Sequence, residues 1–358
     1  MIKKYFGFAI VMAVLVYVAI FANAYMTVGL AAAFAILYQA LSLSAVEVAV
    51  SFDNAAVNAT HLPKMNAFWR KMFLIVGIAV AVIGMRFYLP LQIVSYIGDL
   101  SLVDSYHLAV SDGAAFGKIL ADASATVAGF GGAFLFMTAL AFFVQADKEA
   151  NWITWLEVPL QKWAQMTESS GINKARLGEA AITLGLAYGV TVHQGTNEFF
   201  FAAIAGLVVF YAVDLLKMAF EAIDEKLSTS KAKWIAGGLG TFIYLEILDA
   251  SFSFDGVIAA FALSDNLWVI AGALGVGALV VRSMTIMLYE TGAMKTYEFL
   301  ENGAFVAILL LAASMYVGEI FHLPHWIVAV TSILSIAGAV YCSIKNTTAE
   351  EAAAETTV

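Results

Sequence analysis

About ten stretches of this chain are apolar over roughly the 20 residues that a helix needs to cross the hydrocarbon layer of a bilayer. They lie at residues 5–24, 28–59, 70–96, 125–146, 178–193, 198–222, 234–263, 267–289, 303–321 and 325–344. Stretch 178–193 is the weakest, being short and carrying Glu179 near its start, so nine spans stay open beside ten. Such a chain folds as an all-α polytopic transmembrane bundle, because in lipid each backbone polar group must be paired inside the protein. Composition agrees: 62% of the 358 residues are hydrophobic and 13% charged, against about a half and a quarter in water-soluble domains. Four prolines, one cysteine (Cys342) and a net charge of -9 exclude a disordered chain, a disulfide scaffold and a nucleic-acid partner. A single thiol also argues against thiolate metal chemistry.

Basic residues collect in cytoplasmic loops. With ten spans and both termini cytoplasmic, 15 of the 18 Lys and Arg residues fall inside, Lys118 alone falls outside, and Arg86 and Arg282 lie within spans. Lys3 and Lys4, the apolar run after them and Ala22-Asn23-Ala24 resemble a cleavable signal, but the run is long for one, so a retained first helix is expected. The loop 97–124 is acidic, with a solvated loop as its plain reading. The chain divides into a first membrane half (1–146), a cytoplasmic amphipathic stretch at the interface (147–177), a second membrane half (178–344) and an acidic, disordered tail (345–358).

The halves repeat one another. Glu47-Val-Ala-Val-Ser-Phe-Asp53-Asn recurs as Asp249-Ala-Ser-Phe-Ser-Phe-Asp255-Gly, with an acid six residues before the Ser-Phe-Asp in each. One span later Arg86 corresponds to Arg282, and in the next span Gly132-Ala133-Phe134 corresponds to Gly303-Ala304-Phe305. The copies are five spans apart, and an odd offset reverses their direction, which predicts an inverted-topology repeat of the kind that builds secondary transporters.

Glu47, Asp53, Glu246, Asp249 and Asp255 all lie within two spans. Each ionised acid near the bilayer centre costs roughly 2.5–3.5 kcal/mol, so protons, Arg86 and Arg282, or a bound cation must neutralise them. At helical spacing Ser44, Glu47, Ser51, Asn54 and Asn58 share one face, and Glu246, Asp249, Ser253 and Gly256 share another. On straight helices Asp53 and Asp255 point away from those stripes. Either the helix unwinds at each Ser-Phe-Asp and swings the acid inward, or each acid turns to another helix and pairs with an arginine. Carboxylate, hydroxyl and amide oxygens are hard ligands that suit Mg, Ca or Mn. His61, His107, His193, His322 and His325 fall at loops or span ends, where a solvated histidine is the default.

Stretches SLSAVEVAVSFDNAAVNAT (42–60), LEILDASFSFDGVIAAFAL (245–263), VRSMTI (281–286) and YEFLENGAF (297–305) resemble the TerC-type, tellurium-resistance-like family of integral membrane proteins, in its uncharacterised-domain branch. The resemblance runs from about residue 28 to 344 and implies a place in the lysine-exporter superfamily, with export of manganese or calcium across the inner membrane. It implies a metal-binding set of Glu47, Asp53, Asn54, Glu246, Asp249, Ser253 and Asp255, with Asn54 replaced by Gly256 in the second copy. Ser44, Ser51 and Asn58 would support that set, and Arg86 and Arg282 would pair with it or gate it. The expectation is therefore a divalent-cation exporter, Mn first and Ca next, with protons as coupling ion, no resident cofactor and no enzyme activity. The alternative is a non-transporting membrane scaffold or assembly factor of a metal- or tellurite-stress complex, in which buried ion pairs only fix helix packing.

Overall fold

The computed structural model describes residues 2–145, 148, 150–168, 174–227, 237–321, 323 and 325–356. Side chains are described for these except 166–168, 174–176, 221–227, 254–255, 258–259, 262, 325–326 and 349–356. Among the described residues every regular element is helical.

Helices α1 (Ile2–Val28) and α2 (Leu30–Val50) meet at Gly29, whose φ of +88° suits a residue without a side chain. Next come α3 (Phe52–His61), α4 (Ala67–Ala79), a π-helical segment (Val80–Tyr88) and α5 (Leu89–Ile97). Two short helices, α6 (Leu102–Ser111) and α7 (Gly113–Asp122), build the acidic loop. Then follow α8 (Ser124–Val144), α9 (Thr154–Glu168), α10 (Lys174–Gln194), α11 (Glu198–Leu227), α12 (Leu239–Leu263) and α13 (Leu267–Glu290). A single turn, α14 (Ala293–Thr296), leads to α15 (Leu300–Phe321) and α16 (His325–Thr356).

Among the described residues eight spans are long and apolar enough to cross a membrane: α1, α2, Ala67–Ile97 taken as one, α8, Glu198–Phe220, α13, α15 and Ile327–Thr348. The ten expected stretches differ from these at two helices. Helix α10 is 21 residues long but opens on Lys174, Arg176 and Glu179. Helix α12 has 25 residues, and any stretch of 18 within it includes Glu246, Asp249 and Asp255. The chain is a multi-pass membrane protein, and one of these two charged helices carries the second acidic motif.

Helix α8 is apolar on every side and is the most enclosed of the spans, as a helix without a polar face must be. It crosses α11 at close range, since a Cβ on Gly206 would stand 2.2 Å from the Phe130 carbonyl oxygen and one on Gly129 would stand 2.5 Å from that of Phe199. Phe134, Phe210, Phe305 and Tyr316 fill the core around this crossing. A second core joins α2, α5, α7, α12 and α13 through Leu43, Leu91, Phe116, Val257 and Ile270. Helix α1 shows most of its surface outward, as a lipid-facing helix should, and is tied in by Tyr17, whose hydroxyl donates to Ser44 Oγ at 2.7 Å.

Two regions depart from expectation. The stretch 147–177 was expected to lie at the interface with its polar side in water. In α9, Trp155 is 78% exposed while Glu157 and Gln161 are buried. Glu157 pairs with Lys148, accepts from the Ile153 N–H at 2.6 Å and takes a further donor, Asn302 Nδ2, at 3.3 Å. Burial pushes the Lys148 ammonium below its ordinary value, and its hydrogen bond with Glu157 opposes that shift. The polar face of α9 is thus turned onto the bundle and its tryptophan outward. The tail from 345, expected to be disordered, continues α16 as a helix to Thr356, in keeping with its Ala- and Glu-rich sequence.

Candidate cation site

The first acidic motif straddles a helix break. Ser51, at φ −96° and ψ 15°, ends α2 and starts α3. Breaking there frees amide groups at the start of α3, and Asp53 Oδ1 takes one of them, the Asn54 N–H, at 2.8 Å. Of the two Ser-Phe-Asp motifs only this one breaks its helix: α12 runs unbroken through Ser253 and Asp255, with Gly256 in the place of Asn54. Across the break the polar stripe stays connected. Ser51 Oγ donates to Glu47 Oε1 at 3.3 Å, Asn58 Nδ2 donates to Asn54 Oδ1 at 2.9 Å, and Asn54 Nδ2 donates to Asp249 Oδ1 on α12. Ser44 leaves the stripe and donates to the Ala273 carbonyl on α13 at 2.8 Å.

Arg86 pairs with Glu47 rather than Asp53, and both side chains are nearly sealed, at 3% and 2% exposure. Its position follows from the π-helical segment. Pro90 lacks an amide hydrogen, and the turn before it widens so that the Leu89 N–H reaches back to the Gly84 carbonyl. Arg86 Nη1 then donates to the Ala81 carbonyl at 2.8 Å. Short π segments inside helices often mark functional sites. Glu47 lies flat on α12 and α13, because a Cβ on Gly277 would come within 2.4 Å of its Cγ and one on Gly256 within 2.8 Å of its Oε2.

Arg282 on α13 sits over the Phe73 ring, its guanidinium carbon 3.7 Å from the centroid. Its Nε and one terminal nitrogen have no hydrogen-bond partner. Glu246 Oε1 is also unpartnered, and a Cβ on Gly77 would lie 2.4 Å from both it and Arg282 Nη2. Only glycine at 77 leaves room for both groups beside it. Asn58, Arg86, Asp249, Arg282 and Thr285 line a cavity of about 20 Å³ among the spans, room for one water-sized occupant. Asn58 Oδ1 and Arg86 Nε have no partner there. Three carboxylates, Glu47, Glu246 and Asp249, thus surround two guanidiniums, with a formal surplus of one negative charge.

Asp53 is elsewhere. It is fully buried, makes no ion pair among the described residues, and faces Ser332 of α16 without a hydrogen bond of standard geometry, so that Asp53 Oδ2 and Ser332 Oγ are both unpartnered. Of the two arrangements open to Asp53, pairing with Arg86 is not the one adopted: the helix break turns Asp53 toward α16, while Glu47, one turn before the break, meets the arginine. Ser253 is buried with an unpartnered hydroxyl, and the side chain of Asp255 lies outside the described residues. Among the described residues no three His, Cys, Asp or Glu side chains are grouped so as to hold a metal ion. His61, expected at a wet span end, is instead buried, its ring 5.3 Å from that of Tyr244. Phe73 and Gly77 carried no signal in the sequence, since a Phe and a Gly in an apolar run read as packing.

A relative from Bacillus subtilis (strain 168), described as the uncharacterized membrane protein YceF, is 33% identical over 122 residues, which cover 32% of this chain and 46% of the relative. The chain therefore matches about half the length of that curated protein. No solved structure matches it. A family model described as a protein of unknown function, DUF475, matches residues 52–350, from the break at Ser51 through both arginines to the last helix, and the chain belongs to that family.

Proposed function

We propose that this protein is a secondary transporter that exports a divalent cation, Mn²⁺ first and Ca²⁺ next, across the inner membrane, and that it stands with the TerC-type members of the lysine-exporter superfamily. Two halves of inverted topology would alternate access to the cavity between them. The observation that carries the reading is one small cavity lined by Asp249 of the second motif with Asn58, Arg86 and Arg282, where Arg86 reaches Glu47 of the first motif and where oxygens of Asn58 and, beside Arg282, of Glu246 are unpartnered. Acids buried among apolar spans are costly and are kept where an ion or proton is handled. Carboxylate and amide oxygens fit a hard divalent cation. A carboxylate that gives up a proton as the cation arrives would couple export to the proton gradient. Asp53, remote from the arginines, is outside the binding group in this reading.

The test is flux of Mn²⁺ and of Ca²⁺ into proteoliposomes that hold the full chain. Uptake of at least one, saturable and above that of empty vesicles, is expected. If neither ion moves under an imposed ion or proton gradient, the transport reading falls.

A further inference from the structure

The two arginines are held very differently. Arg86 is fixed by Glu47 and by the Ala81 carbonyl. Arg282 makes no hydrogen bond through its Nε or Nη2, lies on an aromatic face and borders the cavity beside Asp249. A cation on an aromatic face is held without a directed hydrogen bond, so the contact is more readily exchanged than a buried ion pair. We infer that Arg282 is a tethered stand-in for the transported ion: it occupies the acidic cavity when the site is empty and withdraws along Phe73 when a cation binds.

The charges then specify the cargo. Glu47 is matched permanently by Arg86, which leaves Glu246 and Asp249, three residues apart on one face of α12. With Arg282 beside them the pair carries one surplus negative charge, and with Arg282 withdrawn it carries two. A doubly charged cation neutralises the second state, while a singly charged one leaves it short. The stand-in also explains how an acidic site can return empty through the membrane, because the arginine replaces the charge that has left. This inference rests on the transport reading.

Calorimetric titration of the full chain in detergent with Mn²⁺ alone tests it. Arg282→Gln removes the competitor and is expected to bind Mn²⁺ at least ten-fold more tightly than the parent while exporting it more slowly. Phe73→Leu removes the aromatic face along which the guanidinium withdraws, keeps it at the acids and is expected to weaken binding at least three-fold. An arginine that only braces the helices would weaken binding in both variants. If the parent binds Mn²⁺ and Arg282→Gln binds it equally or less well, the stand-in is wrong and the transport reading survives. Should Arg282→Gln fail to fold, Arg282→Met, which keeps an apolar side chain on Phe73 and removes the charge, decides, and binding equal to or weaker than the parent's overturns the inference. A parent that takes up no Mn²⁺ in either assay removes both.

Discussion

Glu47→Gln is expected to destabilise the protein by about 3–5 kcal/mol, the usual loss when one member of a buried ion pair is removed and the other keeps its charge. Arg86 would be left 3% exposed, with an amide where its counter-ion was and only the Ala81 carbonyl as a firm acceptor. Its Nε already lacks a partner, and Asp249, the other acid beside it in the cavity, already accepts from Asn54. Thermal unfolding in detergent measures the loss. The double variant Glu47→Gln with Arg86→Met should recover most of it, because burying neither charge is often as stable as burying a matched pair. Equal instability of the single and double variants would mean that the pair is not coupled. Asp53→Asn makes a useful contrast. It orphans no arginine, so the large loss expected of a scaffold built on an Asp53–Arg86 pair should not appear.

Asp249→Asn carries the second large effect, and on flux rather than stability. Asp249 accepts from Asn54 and lines the cavity beside both arginines, and it is only half-buried. An asparagine keeps its size and can still accept from Asn54. The formal charge of the group, however, moves from minus one to zero. A unit charge about 4 Å away is worth about 4 kcal/mol at an effective dielectric of about 20, equivalent to more than a hundred-fold in occupancy. Export should therefore fall at least about a hundred-fold while the unfolding temperature stays near that of the parent. A non-transporting scaffold predicts the reverse, a loss of stability with no flux to lose.

Long apolar runs with acids spaced on one helical face announced both the bundle and the polar stripe. Glu47, Asn54, Asn58 and Asp249, chosen from that spacing, are joined through the cavity and its hydrogen bonds. The partners of the arginines were not legible. Spacing along one helix fixes which residues share a face, but the neighbour each side chain meets depends on how helices cross. Here the crossing is set by Gly77, Gly256 and Gly277, whose closeness to Arg282 and Glu47 has no trace in the residues around them. Unwinding at each Ser-Phe-Asp was one of two arrangements left open by the spacing, and it occurs at Ser51 but not in α12. The inward polar face of α9 went unread because amphipathicity reveals that a helix has two sides, not which side the bundle takes.

Diffraction at wavelengths on either side of the manganese edge, from crystals of the full chain grown with and without Mn²⁺, tests the central claim most directly. The account predicts one strong anomalous peak between Glu246 and Asp249 and within reach of Asn58, with Arg282 drawn back from it. A protein saturated with Mn²⁺ that shows no peak in that cavity, or a peak only on the outer surface, would contradict it.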